Sequence, residues 1–239
     1  MSDHTVAAYD NELKELAGSI AEMGGIAERL LVDSVTALVR IDTSLAQTVI
    51  VGDIRLDGVQ RRVETDVVNI IARRQPMGQD LRELVAALRV SSDLERIGDM
   101  AKNIAKRVVA IDGHYHPKRL ALGVEHIAEL ALEQLKVVID AYTDKDVDTA
   151  ISVRARDNEI DAMYTSLFRE LLTYMMEDPR NITFCTHLLF CAKNIERIGD
   201  HVTNIAENVH FLVTGEQPID DRPKHDESSL TPVDFGARS

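Results

Sequence analysis

Several residue types are scarce in this chain, and their scarcity limits what it can be. Tryptophan is absent, aromatic residues make up 4% of the 239 residues, and there are only two cysteines. Leu, Ile, Val and Ala must therefore fill the core, and these residues pack well between helices. Cys185 and Cys191 lie six positions apart on one predicted helix, where they point in different directions and cannot readily bridge. We expect buried, reduced thiols, as in a cytoplasmic protein.

The sequence also lacks segments that direct a chain into or through a membrane. No stretch approaches the ~20 apolar residues of a membrane-spanning helix. The first residues do not have the basic region and apolar region of a signal peptide. We therefore expect a cytoplasmic protein without membrane insertion.

Positive charge is scarce as well, with 27 Lys and Arg against 40 Asp and Glu and a formal net charge of −13. Such a chain is repelled by nucleic-acid phosphates and by anionic lipids, so nucleic acid is not an expected partner. Cations or a basic protein surface are the expected partners. Familiar catalytic motifs are missing too: there is no CxxC, HExxH, GxSxG or glycine-rich phosphate loop.

Helical periodicity of apolar residues runs through almost the whole chain and predicts an all-α fold. Asp42-Thr43 and Thr143-Asp144 are predicted N-caps, while Gln75-Pro76 and Asp178-Pro179 are predicted to end helices. The six predicted helices cover residues 8–40, 43–74, 78–111, 118–143, 145–178 and 182–213.

The two halves of the chain repeat each other. The segment that begins with Glu95-Arg96-Ile97-Gly98-Asp99 recurs from Glu196-Arg197-Ile198-Gly199-Asp200, with nine identities in fourteen positions at an offset of 101. A repeat of this length indicates a duplicated structural unit. We predict two tandem, sequence-related three-helix bundles, at residues 1–113 and 114–214, followed by a flexible C-terminal tail at 215–239.

Each repeat carries acidic residues at a spacing of four, which places them on one face of a helix. Glu95, Asp99 and Asn103 form such a strip on the third helix. A helical wheel indicates that this helix changes its buried face, from that of Leu81 and Leu84 to the opposite one, and that the acids occupy the vacated face. Gly98 and Gly199 predict the close approach of another group, because glycine otherwise weakens a helix interior.

An acidic pair precedes each strip by one helix. Asp53 and Asp57 lie on the second helix, and Asp157 and Asp161 lie on the fifth. If each pair faces its strip, about four carboxylates and one amide oxygen converge. Mg²⁺, Mn²⁺ or iron would suit this all-oxygen set, whereas a structural Cys/His zinc site would not. The competing interpretation is a solvated acidic face, with Arg96 and Arg197 as ordinary surface partners.

These motifs resemble the PhoU family, the phosphate-transport regulatory proteins of bacteria. The resemblance extends through about residue 213 and includes ERIGDxxxNIA twice, ARRQP at 72–76 and LLTYMMEDP at 171–179. It implies two bundles packed side by side, with multinuclear metal clusters on paired carboxylate motifs. The expected metals are Fe, Mn and Mg, and Zn is a further candidate. The residues that match are Asp53, Asp57, Glu95, Asp99 and Asn103 for the first cluster, and Asp157, Asp161, Glu196, Asp200 and Asn204 for the second.

The same resemblance implies a function. PhoU-like proteins repress the phosphate-starvation response, contact the ATP-hydrolysing subunit of the phosphate ABC importer and a sensor histidine kinase, and tend to form dimers. We therefore expect a homodimeric, metal-binding regulator that is not an enzyme. Two alternatives stay open from the residues alone: a carboxylate-bridged metal enzyme in a helical bundle, and a metal-free helical scaffold that binds a basic partner. The enzyme is disfavoured because Glu207 and His210 form only one ExxH pair, where a di-iron site needs two.

Overall fold

The chain is helical throughout the part that the computed structural model describes, which is residues 2–111 and 118–216, with side chains at 9–111 and 120–216. No strand occurs in these residues, so the all-α prediction is confirmed. Seven α-helices lie in this part of the chain: α1 (Ser2–Arg40), α2 (Thr43–Arg74), α3 (Gln79–Ile111), α4 (Leu122–Asp144), α5 (Val147–Ala155), α6 (Asp157–Glu177) and α7 (Ile182–Thr214).

The helices form two bundles that lie side by side. In the first, α1, α2 and α3 all contact one another; in the second, α4 and α7 pack together with the consecutive helices α5 and α6. Contacts of α3 with α7 and of α1 with α4 join the bundles, and the buried apolar side chains form one cluster across both. This arrangement confirms the predicted fold class. The predicted boundary at residue 113 and the tail beyond Glu216 lie outside the described residues.

Side chains and backbone geometry account for the helix ends. Asp42 caps α2 by accepting a hydrogen bond from the Leu45 N–H at 2.9 Å, as predicted. Gln75 ends the same helix in the left-handed conformation, with φ 50°. The predicted cap at Thr143-Asp144 is wrong, because α4 continues to Asp144 and the next cap is Asp146.

The predicted fifth helix is broken into α5 and α6 at Arg156, which has φ −89° and ψ 0°. The Arg156 N–H donates to the Val153 carbonyl at 3.1 Å, as in a tightened turn. Its own carbonyl accepts from the buried Gln134 side chain at 3.2 Å, and its guanidinium pairs with Glu133 and Glu159. The Arg156 N–H and carbonyl therefore both have hydrogen-bond partners although the helix is interrupted. Asp157 is the first residue of α6.

The predicted change of buried face on α3 is also wrong. The buried positions form an unbroken stripe from Leu84 to Ile111, whereas Leu81 is 39% exposed. Small buried residues such as Ala87 and Ser91 occupy the positions of the stripe that have no large apolar residue. Since α3 contacts α1, α2 and α7, most of its circumference is covered, and the acids lie at the margin of the buried stripe.

The glycines of the repeated motif allow close helix contacts, as predicted. A Cβ atom at Gly98 would overlap Leu56 Cδ2 and would lie 3.0 Å from Asp53 Oδ1, both on α2. A Cβ atom at Gly199 would lie 2.8 Å from Ile160 Cδ1 on α6. The two cysteines are buried and unpaired, as predicted, and burial raises the pKa of Cys191 to about 12.

Alanine in place of Gly98 should destabilise the protein by about 1–3 kcal/mol, because the added methyl group overpacks the α2–α3 contact. The matched control is Gly58→Ala on α2, where no atom would lie within 4 Å of the new Cβ. That substitution should stabilise the helix by up to about 1 kcal/mol. Urea unfolding of both variants measures the difference, and equal effects of the two substitutions would contradict the close-packing argument.

Candidate metal centres

The first predicted set lies between α2 and α3, and the structure brings its four carboxylates together. Asp53 is 2% exposed, while Asp57, Glu95 and Asp99 are partly buried around it. Burial raises the pKa of Glu95, and the negative charges of Asp99, Asp57 and Asp53 raise it further. The acidic pair of α2 therefore lies close enough to the acids of α3 for their charges to affect one another.

A lysine that the motif analysis missed lies within this set. The Lys102 ammonium hydrogen-bonds both Asp53 and Asp99, the latter at 2.7 Å. Burial opposes its charged form, but the two carboxylates outweigh that effect and raise the pKa of Lys102. Burial raises the pKa of Asp53, against the effect of Lys102. The available signal was the i, i+3 spacing of Asp99 and Lys102, which places an ammonium beside the acid on the same helix.

The second set lies between α6 and α7 and is more deeply buried. Asp157, Asp161 and Glu196 are 4%, 6% and 5% exposed, and Asp200 is partly buried. Burial raises the pKa of Glu196, and the negative charges of Asp200 and Asp161 raise it further. Lys193 lowers this pKa, because its Nζ lies 2.9 Å from Glu196 Oε2. Three carboxyl groups at this helix contact are thus almost withdrawn from water.

The two sets differ in the donor that contacts the buried aspartate. Thr203 is the counterpart of Lys102 at the repeat offset of 101, and Asp157 takes the place of Asp53 as the first acid of its pair. The Thr203 hydroxyl donates to Asp157 Oδ1 at 3.0 Å. Each half therefore places a hydrogen-bond donor against its buried aspartate, but the donor is charged in the first half and neutral in the second.

The two predicted asparagine ligands face other groups in this arrangement. Asn204 donates to Asp93 Oδ1 on α3 at 3.3 Å, and His201 Nδ1 lies 2.9 Å from the same oxygen. Asn103 lines a groove between α3 and α7. His201 thus has a partner across the contact between the bundles.

The donor chemistry of both sets suits a hard cation, since carboxylate oxygens are the ligands that Mg²⁺, Mn²⁺ and iron accept. One buried oxygen, Asp53 Oδ1, has no hydrogen-bond partner among the described residues. Within the same residues, however, no three His, Cys, Asp or Glu side chains are grouped as a ready metal site. For a metal ion to be held at the first set, the Lys102 ammonium would have to leave Asp53 and Asp99.

Comparison with known proteins accounts for this duplicated geometry. The PhoU domain matches the chain twice, at residues 20–108 and 124–209, which are the two bundles. The chain therefore belongs to the PhoU family. A phosphate-specific transport system accessory protein PhoU homolog of Rhizobium meliloti is 58% identical over 226 residues, covering 95% of each chain.

Solved structures of the PhoU family have the same fold. PhoU from Pseudomonas aeruginosa matches with a TM-score of 0.82 and 37% identity, covering 87% of this chain and 100% of that one. The phosphate transport system regulatory protein PhoU from Streptococcus pneumoniae matches with a TM-score of 0.80 and 28% identity, covering 88% and 99%. In the described part of this chain, no helix has the length and apolar character needed to span a membrane.

The raised pKa of Glu196 predicts a pH dependence of stability. Because burial raises this pKa, the folded protein retains a proton that the unfolded chain releases near its ordinary pKa of 4.5. The contribution of Glu196 to the free energy of unfolding therefore falls as pH rises above that value. Glu196→Gln cannot ionise, so in metal-free buffer the variant should gain stability relative to the parent as pH rises above 4.5.

Chemical unfolding at several pH values measures this difference. Glu170→Gln, at an exposed position of α6, is the control and should follow the parent at every pH. If the Glu196→Gln and parent stabilities stay parallel across the range, Glu196 is not held in the environment described above.

Proposed function

We propose that this protein is a negative regulator of phosphate import and of the phosphate-starvation response. One observation carries the proposal: a protein named as an accessory protein of the phosphate-specific transport system shares 58% identity across 95% of both chains. At that identity and coverage both bundles are matched, so the proposed role involves the whole molecule and not one domain. The names of the relatives describe accessory or regulatory proteins, which supports a function without catalysis.

The proposed partners are the ATP-hydrolysing subunit of the phosphate ABC importer and a sensor histidine kinase, between which the protein acts as a cytoplasmic adaptor. This part rests on the family resemblance, as does the proposed homodimer. Two similar but unequal bundles are consistent with an adaptor, because each can present a related surface to a different partner.

We also propose that the two carboxylate sets bind metal ions. Carboxylates that are buried together repel one another, and this repulsion costs stability unless a cation compensates it. A metal ion at either set would join two helices, α2 to α3 in the first bundle and α6 to α7 in the second. Iron, Mn²⁺ and Mg²⁺ are the favoured ions, since oxygen ligands suit hard cations, and Zn²⁺ is a further candidate.

The sets should differ in metal affinity, because Lys102 already supplies a positive charge to the first. A metal ion that binds Asp53 and Asp99 must displace this ammonium, whereas Thr203 at the second set is neutral. At the second set Lys193 pairs with Glu196, and the side chain of this lysine is 41% exposed. The second set should therefore bind metal more tightly.

A metal-free scaffold is the second candidate for these sets. The ion pairs of Lys102 with Asp53 and Asp99 favour it, because they compensate part of the negative charge without metal. Elemental analysis of the protein purified without chelator separates the candidates. Stoichiometric iron, manganese or another metal supports metal binding, and its absence supports the scaffold.

Replacing Lys102 should strengthen metal binding at the first set. In a background that disables the second set, Asp200→Asn, the added substitution Lys102→Thr should tighten Mn²⁺ binding about tenfold or more, because it removes a competing charge from two ligands. Calorimetric titration of Mn²⁺ into chelator-treated, desalted protein measures the change.

The matched control is Thr203→Val in an Asp99→Asn background. Valine has nearly the shape of threonine and removes a neutral donor, so Mn²⁺ affinity at the second set should change less than about threefold. Unaltered Mn²⁺ affinity after Lys102→Thr would show that the ammonium does not compete with metal.

Removal of both sets should abolish regulation if metal is required for it. In a bacterium that lacks its own PhoU-family protein, this chain should keep a phosphate-starvation reporter repressed in high phosphate. The Asp99→Ala, Asp200→Ala double variant should lose bound metal and derepress the reporter, with immunoblotting to control for protein level. Repression by a metal-free double variant would retain the regulatory proposal and overturn the role of metal in it.

A further inference from the structure

A groove of about 650 Å³ lies between α3 and α7, on the contact that joins the two bundles. It is lined from α3 by Asn103, Lys106 and Arg107, and from α7 by Phe190, Lys193 and Arg197. Four of these six side chains are cationic, in a chain whose net charge is −13. Such a concentration of positive charge on an acidic protein needs a physical explanation.

The positive charges of the groove are mostly uncompensated within the protein. In the described part of the chain, no carboxylate lies within ion-pair distance of Lys106, Arg107 or Arg197, whereas Lys193 pairs with Glu196. The Arg107 guanidinium is held over the Phe190 ring, with its carbon 4.2 Å from the ring centroid. Four cations along one groove repel one another, so an anion bound among them would be stabilised.

The positive charge of the groove is not a feature that both halves of the repeat share. At the repeat offset of 101, the positions of Lys106, Arg107 and Lys193 correspond to Glu207, Asn208 and Ser92, and only Arg197 keeps an arginine, Arg96. The acids of this opposite side have partners of their own: Glu207 pairs with Arg154, and Asp93 with His201 and Asn204. The equivalent positions thus hold two arginines, Arg89 and Arg96, together with two acids, whereas the groove holds four cations and no acid.

The size and chemistry of the groove indicate the class of ligand. Its volume falls in the range of small-molecule sites, about 300–1,000 Å³, and exceeds what one inorganic phosphate would fill. Lysine and arginine side chains bind phosphoryl oxygens strongly, arginine often with two hydrogen bonds. Phe190, which is 49% exposed, adds an apolar face at the end of the cationic wall.

We propose that this groove binds a compound with a chain of two or more phosphoryl groups, either a nucleoside polyphosphate or inorganic polyphosphate. The cations of both helices contact the phosphoryl oxygens, and the ligand bridges the two bundles. The proposal requires neither metal at the carboxylate sets nor the regulatory role, because it rests on the groove alone.

Calorimetric titration of the full chain, freed of metal and desalted, tests the proposal with three probes: sodium tripolyphosphate, ATP and inorganic phosphate. Tripolyphosphate and ATP should bind more tightly than inorganic phosphate. Lys106→Gln with Arg197→Gln removes two exposed cations from the groove and should weaken both probes about tenfold or more. The matched control, Arg89→Gln with Arg96→Gln, removes two exposed arginines of α3 from the opposite side and should weaken them less than about twofold.

The probes also separate the two sources of the ligand. Tighter binding of ATP than of tripolyphosphate, with the difference lost in Phe190→Ala, assigns a nucleotide; equal binding assigns the phosphoryl chain itself. The proposal is overturned if neither compound binds, if inorganic phosphate binds equally well, or if the control variant weakens binding as much as the groove variant. Unfolding midpoints of all variants, measured in parallel, exclude loss of fold as the cause.

Discussion

The constraint on which this structure depends is the burial of carboxylates between helices. Asp53 at the α2–α3 contact and Asp157 at the α6–α7 contact are nearly withdrawn from water, where an unpaired charge is costly. Each therefore lies against a donor from the neighbouring helix, and the two helices must be close for this contact. Gly98 allows α2 and α3 to approach in the first bundle, because any side chain there would overlap Leu56 and crowd Asp53. The glycine of the motif and the acids of the motif thus serve one arrangement.

Duplication has produced two solutions to this constraint. A charged donor, Lys102, compensates the first aspartate, and a neutral donor, Thr203, hydrogen-bonds the second. The second set is also more buried, with three of its carboxyl groups almost withdrawn from water, and burial raises the pKa of Glu196 there. A cation from solution would stabilise the second set more than the first. The two ERIGD motifs are identical and do not show this difference, which arises from a position outside them.

Periodicity and repetition predicted most of the fold because both depend on local spacing. The limits of α2, the cap at Asp42 and the facing of the acidic pairs follow from intervals of three and four residues along a helix. The break at Arg156 does not follow from such intervals, because it depends on a hydrogen bond from another helix. The side chain of Gln134 on α4 donates this bond to the Arg156 carbonyl. The predicted change of buried face on α3 was wrong for a related reason. Ala87 and Ser91 are small or polar, and they are buried because neighbouring helices cover them. Lys102 was overlooked because a lysine beside acids usually forms an ordinary surface pair.

The contact between α3 and α7 connects the features of both halves. Lys193 pairs with Glu196 of the second set and also lines the cationic groove, so one side chain faces a carboxylate site and a candidate anion site. A cation at the second set would release Lys193 from Glu196 and leave its charge for the groove, while an anion in the groove would draw Lys193 away from Glu196 and favour the cation. By linkage the two effects must be equal in free energy. If both proposed sites are occupied, this contact would therefore couple the binding of a cation to that of a phosphorylated anion without any large change in fold.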